Sequence, residues 1–131
     1  MILPMTPSPT PVQPSPIRLD PSPSRVFSWL EWNPNTPAVR DERDRLIQPA
    51  GPSLHIRYRY NGAEWEFYPV SEEEAREVFN PGQKYGFSIG SAFSSLIKAH
   101  KSGRQIKSGD RQATQQQRAE VEQRAGRRWL A

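Results

Sequence analysis

Proline placement sets the first limit on this 131-residue chain. Eight of its 14 prolines (Pro4, Pro7, Pro9, Pro11, Pro14, Pro16, Pro21 and Pro23) fall within the first 23 residues. Each fixes its own φ, removes a backbone donor and pushes the preceding residue towards extended conformations. The repeated pairs Thr6-Pro7, Ser8-Pro9, Thr10-Pro11, Ser15-Pro16 and Ser22-Pro23 predict a polyproline-II-like arm over residues 1–23. At roughly 3.1 Å per residue it reaches about 70 Å. Its composition reads either as a disordered tail or linker or as an arm lying along a partner's groove through Ile2, Leu3, Val12, Ile17 and Leu19. Roughly 80 residues remain to build a core, enough for one small domain.

The absence of cysteine removes any disulfide framework or thiolate zinc site and fits a reducing compartment. Two separated histidines and the consecutive Glu72-Glu73-Glu74 give no metal-ligand cluster, and no cofactor is expected. No apolar run approaches the roughly 18 residues of a membrane span. Met1-Ile2-Leu3-Pro4-Met5 has neither the basic nor the apolar region of a signal peptide, so the expected location is cytoplasmic, or the virion if the chain is phage-encoded. Charge is uneven. From Lys98 onwards nine Lys/Arg face three Asp/Glu, whereas residues 1–97 hold nine against eleven. A segment of +6 thus follows a body of −2, and its partner should be acidic, whether nucleic acid or a protein surface.

Ser24 to Trp32 reads as a strand stopped by Asn33-Pro34-Asn35-Thr36-Pro37. Val39 to Pro52 reads as an inserted loop or a single helical turn. Leu54, Ile56, Tyr58 and Tyr60 then alternate with polar residues, and Asn61-Gly62 supplies a two-residue type I′ turn. That register sets Arg59 against Glu64, Tyr58 against Trp65 and Arg57 against Glu66, so the arginines are largely neutralised. Ser71-Glu72-Glu73-Glu74 opens a helix with a capping box, buried through Ala75, Val78 and Phe79 and stopped at Asn80-Pro81-Gly82. A second helix starts near Ser88, carries the stripe Ile89, Ala92, Phe93, Leu96, Ile97 and His100, and ends at Ser102-Gly103. Residues 105–131 read as a basic helical tail, either a frayed solvent helix or one that docks on a partner through Val121, Trp129 and Leu130. The expected fold is α+β: a small three-stranded antiparallel sheet packed by two helices over 24–104, flanked by the extended arm and the basic helix.

Gly86-Phe87-Ser88-Ile89-Gly90 matches the nucleophile-elbow pattern of hydrolases. The pattern works only on a large parallel sheet with a histidine beside the serine, and neither is in prospect. Ser88 reads instead as a helix cap, and Gly90 as a close-packing position against the hairpin. Ser88, Ile89 and Gly90 are also a candidate phosphate cradle helped by Lys84 and Lys98. Trp29, Trp32, Tyr58, Trp65 and Phe67 are candidates for stacking on bases, although a domain this small needs Tyr58, Trp65 and Phe67 for its core.

The layout Ser24-x-Val26, Trp32-Asn33, a hairpin ending in Tyr68-Pro69-Val70, an acidic-start helix and Ser88-x-Gly90-x-x-Phe93-x-x-x-Ile97-Lys98 resembles the KTSC domain family. That α+β module is named for the C-terminus of some lysyl-tRNA synthetases and also stands alone in bacterial and phage proteins. The resemblance covers about residues 24–104 and is sharpest over Ser88, Gly90, Phe93, Ile97 and Lys98. Two departures are a longer loop after the first strand and Ser94 where the family usually has Asn. It implies a compact domain without established chemistry, with an RNA-binding role inferred from host proteins.

Three functions follow for comparison. The first is a non-catalytic assembly module whose arm and tail dock onto a larger protein lattice, as in a capsid- or tail-associated phage protein. The second is nucleic-acid binding through Lys98, Lys101, Arg104, Lys107, Arg111, Arg118, Arg124, Arg127 and Arg128. The third, an enzyme, lacks a constellation of residues to carry it.

Overall fold

A computed structural model of the chain describes residues 14–110, 112 and 113. Five strands form one antiparallel sheet: β1 (Ile17–Leu19), β2 (Phe27–Thr36), β5 (Gly51–Tyr58), β6 (Glu64–Tyr68) and β7 (Ser102–Lys107), in that spatial order. Two short strands, β3 (Val39–Arg40) and β4 (Leu46–Gln48), make a separate hairpin. Helix α1 (Glu72–Phe79) and helix α2 (Ile89–Phe93), which runs on as a π-helical turn over Ser94–Lys98, join β6 to β7.

The expected three-stranded sheet is therefore wrong by two strands, one at each edge. On the N-terminal side, Ile17-Arg18-Leu19 pairs with Trp32, Glu31 and Leu30 of β2. Its alternation puts Ile17 and Leu19 against the core and Arg18 on the far face. Both candidate anchors are thus used within the chain's own sheet. On the C-terminal side, the second helix stops at Ala99 rather than Ser102-Gly103, and residues 102–107 pair with β6 instead of continuing towards a helical tail. Gly103 decides this placement. A side chain there would stand 2.8 Å from Phe67 Cε1, so only a glycine lets β7 lie beside that ring.

Two further expectations change. β2 continues through Asn33-Pro34-Asn35-Thr36, because a register break between Asn33 and Thr36 takes the proline out of the ladder. Val39 to Pro52 holds β3 and β4 rather than a helical turn.

The central hairpin forms, but in another register. Tyr58 N–H bonds to Ala63 O, and Arg57 stands opposite Glu64, His55 opposite Glu66 and Ile56 opposite Trp65. The connection is four residues long, with positive φ at Gly62 alone among them. The cause is Arg59, whose N–H goes to Val26 O and whose guanidinium bonds Ser24 O at 2.8 Å and Ser22 O at 2.6 Å. A shift of two residues keeps every side chain on its expected face while exchanging the charge partners.

Both helices lie on one face of the sheet. Phe27, Leu30, Trp32, Leu54, Ile56 and Phe67 meet Ala75, Val78, Ile89, Ala92, Phe93 and Ile97 there. Phe93 sits edge-on to Phe27 and Phe67 at 4.9 and 5.1 Å. The α1 capping box is complete: Glu74 N–H donates to Ser71 Oγ, and Ser71 N–H to Glu74 Oε1. Ala75 and Val78 are fully buried, as their spacing implied.

Candidate functional site

The two faces of the sheet treat charge differently. On the helix-free face, cations meet carboxylates. Arg18 pairs with Glu31 at 2.7 Å and Asp20 at 2.9 Å, and its guanidinium covers the Trp29 ring at 4.6 Å. These carboxylates hold the Arg18 pKa above its ordinary value, through the Asp20 hydrogen bond first. His55 Nε2 lies 3.0 Å from Glu64 Oε1. Arg104 bonds Glu66 at 3.2 Å and Gln48 Oε1 at 3.0 Å, while Ser53 donates to Glu66 at 2.7 Å. Gln48, Ser53 and Glu66 are buried, the first at the end of β4. This polar network has a structural task, and within it Gln48 Nε2 is buried without a hydrogen-bond partner among the described residues.

Beside the π-helical turn the pattern reverses. Three linked hollows of about 690, 490 and 290 Å³ run between the lead-in to β2, the hairpin loop and helix α2. Val26, 42% exposed, lines all three. The largest is walled by Arg25, Tyr58, Arg59, Tyr60, Trp65, Phe67 and Lys98. The second adds Ser88, Gly90, Ser91, Ser94 and Ser95; the third adds Pro23, Ser24 and Phe87. No Asp or Glu lines any of them. Three cations, four accessible rings (Tyr58, Tyr60, Trp65 and Phe87) and a row of hydroxyls thus share a groove without a carboxylate.

Local structure explains how these side chains come together. Ser88 caps α2 by accepting from Ser91 N–H at 3.2 Å, which turns the serine-bearing side of the helix outward while Ile89, Ala92 and Phe93 go in. Gly90 permits the approach of Val26, whose Cγ2 would lie 3.3 Å from an added Cβ. The close packing expected of Gly90 is thus with the β2 lead-in rather than the hairpin. The π-helical turn carries Ser94, Ser95 and Lys98 on the groove side and buries Ile97; such turns recur at functional positions. Tyr58 and Tyr60 lie 5.7 Å apart on the opposite wall. Burial, then the neighbouring Tyr60, pushes the Tyr58 hydroxyl above its ordinary pKa, so it stays a neutral donor.

Of the expected cationic residues, Lys98 is exposed in the groove. Lys101 is held by Glu74 at 2.9 Å and Arg104 by Glu66, so both already have partners. Lys107 is exposed near the end of β7. Arg111, Arg118, Arg124, Arg127 and Arg128, the tail anchors Val121, Trp129 and Leu130, and the arm anchors Ile2, Leu3 and Val12 lie outside the described residues. Lys84 turns its ammonium over the Tyr85 ring at 5.0 Å and does not line the hollows, so the expected cradle keeps only Lys98. Ser88 Oγ accepts from Ser91 N–H, and His55 is engaged with Glu64 on the sheet's other face.

Among the candidate stacking rings, Trp32 and Phe67 are core, Trp29 belongs to the paired face, and Tyr58 and Trp65 line the groove. Sequence reasoning missed Arg25, Val26, Arg59 and Tyr60. Arg59 was hidden by the assumed pairing with Glu64. Arg25 and Val26 fell inside the expected strand Ser24 to Trp32, whereas β2 begins at Phe27, and only the fold brings them to α2. Among the described residues no helix is long and apolar enough to cross a membrane. The chain matches no model of a known family, no curated protein and no solved structure.

Proposed function

We propose that this chain is a non-catalytic binding module that holds single-stranded nucleic acid in the groove between α2 and the hairpin. One observation carries the reading: Arg25, Arg59 and Lys98 converge beside Tyr58, Tyr60 and Trp65 with no carboxylate among the lining residues. Cations neutralise phosphates, and exposed rings offer sequence-tolerant faces to unstacked bases. The hydroxyls of Ser91, Ser94 and Ser95 supply hydrogen bonds to sugar and phosphate oxygens. In this reading the run Ser88-x-Gly90-x-x-Phe93-x-x-x-Ile97-Lys98 builds one wall of the groove, and the KTSC likeness is part of the same proposal.

The test is fluorescence anisotropy of a labelled single-stranded oligonucleotide against the full chain at several salt concentrations. Arg25→Ala with Lys98→Ala should weaken binding and lower the salt slope by about 0.7 for each phosphate contact removed. If the double variant binds as the parent does, while deletion of residues 114–131 abolishes binding, the tail is the site and the groove is not.

The outer edge of β7 supports a second reading. This six-residue strand has no partner on its far side among the described residues and carries no proline, so its backbone groups are open to strand addition. An assembly module, such as a capsid- or tail-associated phage protein, would use such an edge together with the arm and tail. Co-sedimentation with particles that survives high salt and is lost on deleting residues 1–13 or 114–131 would favour it.

A further inference from the structure

We propose that Phe87 is a second base-stacking station, so that the groove engages an oligomer at two separated points; this rests on the groove being a nucleic-acid site. Phe87 is 72% exposed and has φ +56°, directly after Gly86 at φ +60°. Two successive left-handed residues suit Gly, Asn or Asp, and a bulky aromatic there is an outlier. The backbone requirement of the turn is met without the ring: Phe87 N–H donates to Gly82 O at 3.1 Å, and Ser88 N–H to Tyr85 O at 3.1 Å. Nothing in this geometry calls for an aromatic side chain. The ring stands in water on a strained backbone, yet it lines the smallest hollow with Pro23, Arg25 and Val26.

Its position supplies the explanation. Arg25 and Val26 line both the Phe87 hollow and the large hollow walled by Tyr60 and Trp65. A cation thus sits between two aromatic stations, the order in which a single strand presents base, phosphate and base. With no carboxylate at either end, the charge of the whole groove suits such a polyanion. A mononucleotide can fill one station and gains nothing from the other.

The test compares the full-length parent with Phe87→Gly, Phe87→Asn and Phe87→Trp. Binding of a labelled ten-residue oligothymidylate is measured, with thymidine monophosphate as competitor, alongside thermal melts. Glycine and asparagine fit the left-handed position, so these variants should melt at or above the parent temperature. Their oligomer affinity should fall about tenfold, the loss of one stacked base. Monophosphate binding should stay unchanged, and Phe87→Trp should keep oligomer affinity. Unaltered oligomer affinity in folded Phe87→Gly and Phe87→Asn, with the Arg25 and Lys98 salt effect intact, overturns this inference alone. A parent chain that binds no oligonucleotide overturns the groove reading with it.

Discussion

The indole nitrogen of Trp32 donates to the carbonyl oxygen of Val70 at 2.7 Å, with both residues shut off from solvent. The bond ties the middle of the sheet to the segment that launches α1, since Ser71, the helix cap, comes next. Trp32→Phe keeps most of the apolar area but leaves that carbonyl buried without a donor. Chemical denaturation should record a loss of about 1–3 kcal/mol.

Arg104 tests whether a cation counted for nucleic-acid binding is in fact structural. It bridges Glu66 and Gln48, and the Glu66 side chain is only 9% exposed. Arg104→Met leaves that carboxylate without its cation, with the Ser53 hydroxyl still donating to it, and should destabilise the chain by about 3 kcal/mol. Adding Glu66→Gln should recover part of the loss, which a double-mutant cycle measures.

Gly103 should resist any side chain. An alanine Cβ would press on the Phe67 ring, a core group already fixed edge-on to Phe93. Gly103→Ala is expected to cost about 1–3 kcal/mol. Hydrogen exchange should localise the damage to β6 and β7.

Glu74 gives the fold an acid-sensitive contact. Burial opposes its charged form, but the Lys101 ammonium at 2.9 Å and the Ser71 donors outweigh that and hold its pKa below the ordinary 4.5. A depressed carboxyl pKa stabilises the native state above about 4.5 and loses that contribution as pH falls through the folded value. Lys101→Met should therefore be less stable than the parent at pH 7, by up to about 1 kcal/mol. The gap should shrink in urea titrations at pH 3.

Legibility in the sequence followed the range of the interactions involved. The α1 cap, the stripe of α2 from Ile89 to Ile97 and the faces of the central hairpin depend on neighbours a few residues apart, and these were readable, whereas His100, expected on that stripe, is exposed beyond the helix end. The hairpin register was not, because Arg59 is drawn out of the ladder by carbonyls 35 and 37 residues away. β1 is three residues long and lay under the proline signal. β7 looked like a helix end because Gly103, read as a stop, is in fact the space for Phe67. The groove needs Arg25, Tyr60 and Lys98 from three distant segments, so no local pattern announced it.

The most direct test of the groove is a chemical-shift map of the isotope-labelled full chain titrated with a short single-stranded oligonucleotide. Perturbations should cluster on Arg25, Val26, Tyr58, Tyr60, Gly90, Ser94 and Lys98. Perturbations confined to the face around His55 and Glu64, or to residues 114–131, would contradict it.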